Sequence, residues 1–243
     1  MTGDIQVIVV RWRHGPEFDT CLRSLVEHGG GRLGRITVVD SGSGDDGAER
    51  VRHEFPEADV VAIEDNLGFA HAAGVGASQS NEELILLLNP DTVIPQGAID
   101  DLADGLDASP RVAGVVPILE GMDGVSQHRW QLRRLPTVTR LAFGLPGAAE
   151  FAKEPTSPQP VAQPAAAAWL IRRTVWNDLN GLDPNFAPAW WEDVDFCARL
   201  RDLPDNGDLS PNRGFVVLPG CRIHHVGGSS VSALGDRSFL VAY

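Results

Sequence analysis

Leu84-Ile85-Leu86-Leu87-Leu88-Asn89-Pro90-Asp91-Thr92 begins with five apolar residues in a row and stops on a turn. A strand with one wet face alternates apolar and polar residues, so an unbroken run this short predicts a strand covered on both faces. Residues 5–10 and 36–39 are similar runs rich in β-branched side chains, and 59–63 and 112–116 complete the series. Helical spacing lies between them: Phe18, Cys21, Leu22 and Leu25 within 17–27, a small-residue stretch over 69–80, and 95–107 with proline in its first turn. Strand and helix in alternation predict an α/β fold with a mostly parallel central sheet flanked by helices. Ligands of such sheets bind beyond the carboxyl ends of the strands. Asp40, Glu64-Asp65-Asn66 and Asn89-Pro90-Asp91 each follow one of these runs.

The chain has 243 residues, 43% of them hydrophobic, enough for one sizeable core. A formal net charge of -13 argues against non-specific nucleic-acid binding. The one basic stretch, with Arg129, Arg133, Arg134 and Arg140, reads most simply as a solvated loop. Cys21, Cys197 and Cys221 are widely spaced and form no CxxC pair, which suits reduced thiols in a cytoplasmic protein. The first ten residues do not have the pattern of a signal peptide. No apolar stretch reaches the roughly 18 residues of a membrane span.

The second half is less regular. Residues 120–128 suggest a hairpin through Gly121 and Gly124. Residues 150–164 carry Pro155, Pro158, Pro160 and Pro164 and read as a mobile loop. An apolar segment (165–172) and two helices (174–179, 192–203) follow. Next come a loop over 205–213, a short strand over 215–218 and a glycine-rich stretch with two histidines. The expected organisation is one domain over 1–243, with halves 1–116 and 117–243.

Four groups of residues carry chemistry. Asn89-Pro90-Asp91 is good turn chemistry, and it is also a carboxylate placed to hold a hard cation such as Mg²⁺ or Mn²⁺. Trp190-Trp191-Glu192-Asp193-Val194-Asp195 puts acids at a helix start, where they are stabilised anyway; behind two tryptophans, one of them could serve as a general base. Of His224 and His225, adjacent on a strand, at most one faces a given site. Asp40-Ser41-Gly42-Ser43-Gly44-Asp45 is a flexible loop whose carboxylate could bind base or ribose hydroxyls.

In this order, Val38-Val39-Asp40-Ser41-Gly42-Ser43-Gly44-Asp45, Asn66-Leu67-Gly68-Phe69-Ala70, Leu87-Leu88-Asn89-Pro90-Asp91-Thr92, Gly181-Leu182-Asp183 with Phe186 and Glu192-Asp193-Val194-Asp195, and His225-Val226-Gly227-Gly228 resemble the family 2 glycosyltransferases of GT-A fold, especially a rhamnosyltransferase-like branch. The resemblance implies an inverting transfer of a sugar from a dTDP- or UDP-linked donor to a glycan, lipid-linked or small-molecule acceptor. It implies a divalent metal, Mg²⁺ or Mn²⁺, on Asp91 and His225. Asp193 would be the general base, with Glu192 beside it. Asp40, Ser41, Asp65, Asn66, Gly68 and Asn89 would form the nucleotide side, and Trp190 and Trp191 would face the sugars. Asn89 stands where the fuller DxD pattern has aspartate, Gly74 where relatives often carry asparagine, and Arg11-Trp12-Arg13 replaces the more usual Thr-Tyr-Asn. Two alternatives stay open: a sugar nucleotidyltransferase, and a degenerate domain that binds nucleotide or glycan without turnover.

Overall fold

The computed structural model describes residues 3–13, 15–137, 139–140, 148–203 and 214–227. The expected loop over 205–213 lies wholly outside them, as do Gly228 and the serines after it. The chain order is β1 (Ile5–Arg11), α1 (Pro16–His28), β2 (Leu33–Ser41), α2 (Gly47–Glu54), β3 (Ala58–Ile63), α3 (Phe69–Ala77), β4 (Leu84–Leu88), β5 (Thr92–Val93), α4 (Ala98–Asp107) and β6 (Gly114–Glu120). It continues with α5 (His128–Gln131), β7 (Leu132–Arg133), β8 (Gln159–Val161), β9 (Gln163–Pro164), β10 (Ala168–Arg172), α6 (Arg173–Asp178), α7 (Glu192–Asp202) and β11 (Phe215–His225).

The main sheet runs β3-β2-β1-β4-β10-β6-β11-β5, with β8 also on β11. Strands β3, β2, β1 and β4 are mutually parallel, as are β6 and β11. The mostly parallel α/β sheet is therefore present. Its exception at the centre is β10, antiparallel to both β4 and β6. Successive side chains of a strand point to opposite faces, and the core divides accordingly. Val7, Val9, Leu84, Leu86 and Leu88 pack with Phe18, Leu22, Leu25, Leu102 and Leu106 of α1 and α4. Ile8, Val10, Ile85, Leu87 and Trp169 pack on the other face with Ala73, Trp176 and Phe196 of α3, α6 and α7. Both faces of the 84–88 run are thus dry, which is why it contains no polar residue.

Two sequence expectations change. Strand β11 continues to His225 rather than stopping at Leu218. Pro219, Gly220 and Cys221 are taken up in a bulge, where pairing to β6 jumps from Leu218↔Pro117 to Arg222↔Ile118. Residues 150–164, read as a loop, end in two strands. Pro160 is accepted because β8 lies on β11 away from β6, where a missing N–H costs the sheet little.

Gly68 caps α3 at φ 92°. A Cβ there would meet the Pro188 carbonyl oxygen at 2.9 Å, and that same oxygen accepts a hydrogen bond from the Phe69 N–H at 2.9 Å. The turn after β3 is thereby seated on the loop leading to Trp190. Gly68→Ala is expected to destabilise the fold by about 1–3 kcal/mol. Gly74→Ala, in the same helix with nothing within 4 Å of the added methyl, is expected to stabilise it by about 0.4–1 kcal/mol. Urea unfolding of the two variants checks both signs.

Candidate active site

The turn after β4 is tied by Thr92, whose hydroxyl donates to the Asn89 carbonyl at 2.8 Å. The buried Cys21 thiol, its pKa pushed up to about 12 by burial, lies 3.5 Å from the same hydroxyl. Strand β5 then pairs antiparallel with the end of β11, placing Thr92 opposite His225 and Val93 opposite His224. The Val226 N–H donates to the Asp91 carbonyl at 3.0 Å, and the Gly227 N–H donates to Asp91 Oδ2 at 3.1 Å. Asp91 and His225, far apart in sequence, thus become neighbours: Nε2 lies 3.4 Å from Asp91 Oδ1, and both side chains are 3% exposed. Asn89 Nδ2 lies 3.4 Å from the same Nε2. His224 points away, its Nδ1 lying 3.3 Å from Glu120 Oε1.

Carboxylate oxygen with imidazole nitrogen is a donor set that suits Mn²⁺ or Mg²⁺, the nitrogen favouring Mn²⁺. Among the described residues no group of three His, Cys, Asp or Glu side chains gathers there. A cation on Asp91 and His225 would complete its coordination with oxygens of a ligand or with water.

The acidic pair lies at the start of α7. Trp190 and Trp191 precede it with φ of 75° and 74°, a left-handed backbone that is unusual for bulky residues. Both tryptophans are half-buried, whereas Glu192 and Asp193 are buried. Asp193 Oδ2 accepts hydrogen bonds from Arg133 at 3.2 Å and from Gln163 Nε2 at 3.0 Å. Those donors are cross-strand partners, Arg133↔Gln163, in the two-stranded ribbon of β7 and β9. Burial raises the pKa of Asp193 above its ordinary value, with Arg133 pulling against the rise. Glu192 is pushed up to about 8, first by burial and then by the charge on Asp193. Two buried acids face one cation, and the cation and the amide donor both address Asp193. The negative charge therefore resides on Asp193 and the proton on Glu192.

At the same carboxyl edge of the parallel strands, Asp40 is buried with both oxygens engaged. Oδ2 pairs with Arg11, and Oδ1 accepts the Ser43 N–H at 3.0 Å. Burial opposes the charge of Arg11, but Asp45 and Asp40 outweigh it and raise its pKa. The guanidinium lies so close over Gly47 that a Cβ there would sit 2.1 Å from its central carbon. The Ser41 hydroxyl donates to Asn66 Oδ1 at 3.2 Å, which also accepts the Gly68 N–H at 3.0 Å. Ser41, Asn66 and Gly68 thus form one network. Asp65 is exposed beside it.

Sequence reasoning missed Arg133, Gln163, Gln127 and Trp130. Arg133 lay inside the run read as a solvated loop, and Gln163 at the end of the proline-rich stretch. Gln127 contacts the His225 ring and Trp130 stacks on it. Neither stands in any pattern.

Residues 6–176 match the model of glycosyl transferase family 2, and the chain belongs to that family. Its fold is that of the GT-A glycosyltransferases. Solved structures agree. GalNAc-T7 with UDP, GalNAc and Mn²⁺ superimposes with a TM-score of 0.68 at 14% identity, covering 91% of this chain and 42% of the other. The mannosyltransferase PcManGT from Pyrobaculum calidifontis, in complex with GDP-Man and Mn²⁺, gives 0.65 at 16%, covering 96% and 60%. TarS 1-349 from S. aureus gives 0.61 at 16%, covering 92% and 60%. The chain therefore spans about two-fifths to three-fifths of these proteins. No curated protein matches the sequence. No helix among the described residues is long and apolar enough to cross a membrane.

Folded Glu192 keeps its proton up to about 8, whereas an ordinary glutamate releases it near 4.5. Between those values the folded state holds a proton that the unfolded chain does not. Its contribution to stability is complete below 4.5 and is lost as pH rises through about 8. Glu192→Gln should flatten the decline of the urea midpoint across that window. An unchanged slope would mean that Glu192 is ionised in the folded protein.

Proposed function

We propose that this domain transfers a sugar, with inversion, from a nucleoside-diphosphate donor to an acceptor hydroxyl. Asp91 and His225 would hold a divalent metal, and Asp193 would act as general base. The observation that carries the reading is the 3.4 Å approach of Asp91 and His225 at the end of β4. The UDP, GalNAc and Mn²⁺ named with GalNAc-T7 and the GDP-Man and Mn²⁺ named with PcManGT support the same donor class and metal. A bound cation would neutralise charge gathering on the departing diphosphate.

The remaining steps belong to the chain. Asp193 takes the proton of the acceptor hydroxyl, and that oxygen bonds to the anomeric carbon as the bond to the diphosphate breaks. Nucleoside diphosphate leaves from the opposite face, so one displacement inverts the centre. Arg133 and Gln163 orient the base and keep it ionised. Glu192, carrying its own proton, adds no second charge to the pocket. Trp190 and Trp191 offer faces for the apolar sides of sugars. Asp40, Ser41, Asp65, Asn66, Gly68 and Asn89 would serve the nucleotide from the 1–116 half, Asp40 being aimed by Arg11. The 117–243 half would serve the acceptor. A dTDP- or UDP-linked donor, rhamnose among its sugars, follows from the branch resembled. A cytoplasmic setting is in keeping with three buried free thiols.

One observation favours a second reading, a domain that binds donor without turnover: Asp193 is buried and already bonded to the protein. Calorimetry against a panel of nucleotide sugars, with and without Mn²⁺, followed by product analysis, separates the two. Asp91→Ala should weaken Mn²⁺-dependent donor binding at least about tenfold. Asp193→Asn should leave binding intact and lower kcat by about 10²–10⁴-fold. Donor binding indifferent to metal and to Asp91→Ala would sink the metal site. Binding without nucleoside diphosphate release would establish the second reading.

A further inference from the structure

His225 is held by residues that no sequence pattern marks. Gln127 Nε2 donates to the His225 carbonyl oxygen at 2.9 Å, and Gln127 Oε1 lies 2.8 Å from ring Nδ1. A carbonyl can only accept, so the amide nitrogen must face it and the amide oxygen must face the ring. That oxygen can also only accept, so Nδ1 must carry hydrogen. In the neutral ring this leaves Nε2, 3.4 Å from Asp91 Oδ1, with its lone pair outward. The reverse tautomer would point an N–H at the Asp91 carboxylate and close the pair on itself.

Gln127 is fixed in turn. Its N–H donates to the Leu119 carbonyl at 2.8 Å, and its carbonyl accepts the Trp130 and Gln131 N–H groups, each at 2.9 Å. The Gln131 side chain is buried against β6, accepting from Leu119 N–H at 2.9 Å and donating to the Pro117 carbonyl at 2.7 Å. Trp130 covers one face of the imidazole, with ring centroids 5.4 Å apart and planes 16° from parallel.

We propose that Gln127 is the positioning residue of the metal site: it locks His225 as the Nδ1–H tautomer and so presents Nε2 as a ligand atom beside Asp91. The metal half of this statement rests on the function proposed above; the tautomer half does not. Partners of this kind behind a metal-binding histidine change affinity by about 10–100-fold when lost.

The test uses the whole protein, metal-free and ¹⁵N-labelled, in mildly alkaline buffer. Long-range ¹H–¹⁵N spectra read the His225 tautomer, and Mn²⁺ alone is then titrated with free ion followed by electron paramagnetic resonance. Wild type should show Nδ1–H. Gln127→Met, close in shape but without the amide oxygen, should lose that preference and bind Mn²⁺ about 10–100-fold more weakly. Gln127→Glu keeps an acceptor oxygen for Nδ1, though it gives up the donor to the His225 carbonyl, and should restore the tautomer and part of the affinity. A wild-type ring carrying Nε2–H overturns the proposal, as does a folded Gln127→Met with tautomer and affinity unchanged. Should Gln127→Met fail to fold, the wild-type tautomer and Gln127→Glu still decide. If wild type shows an Nδ1–H that Gln127→Met loses, yet binds no Mn²⁺, Gln127 stands as the positioning residue and the metal reading fails.

Discussion

The site depends on two residues of antiparallel pairing, Thr92 against His225 and Val93 against His224. Without them Asp91 ends a turn after β4 and His225 ends a strand on the other side of the sheet. Side chains alternate along a strand, so a slip of one residue would present His224 in place of His225. What prevents the slip is the long parallel ladder of β11 on β6, which fixes where β11 ends. The bulge at Pro219-Gly220-Cys221 contributes to the same register, because the added residues set which histidine arrives opposite Thr92.

The acidic pair obeys a different constraint. A buried carboxylate needs a partner, and a second one beside it needs either another cation or a proton. The small ribbon of β7 and β9 supplies one cation and one amide, both to Asp193. Glu192 therefore takes the proton. Charge in this part of the molecule is set by the count of cations that the ribbon can deliver, more than by the identity of the acids.

The sheet was readable because its strands are unbroken apolar runs and its helices are periodic. Both signals arise from burial and need no knowledge of partners. Asn89-Pro90-Asp91, the acids at 192–195 and the pair His224-His225 stood out because acids and histidines after strands or at helix starts are chemically conspicuous, and the family resemblance singled out Asp193 and His225 among them. The supporting residues were not. Arg133 sits in a charged run, yet it turns inward to Asp193. Gln163 follows a proline-rich stretch that ends as an edge strand. Gln127 is an ordinary polar residue in a hairpin, made particular only by what its amide faces. Proline and glycine at 219 and 220 read as a strand end because a bulge leaves no local trace. Contacts made by chain segments far apart are invisible to patterns that compare neighbours.

The antiparallel strand at the centre of the sheet has a consequence for how the molecule is made. Strand β4 has β1 on one side, and its other edge is covered by β10, which is synthesised long after it. A nascent chain that has not reached Ala168 carries five bare apolar residues along an open hydrogen-bonding edge, the kind of surface that pairs with a stranger. The 1–116 segment is for this reason a poor candidate for independent life as a fragment or for exchange between genes. Its keystone is encoded in the other half.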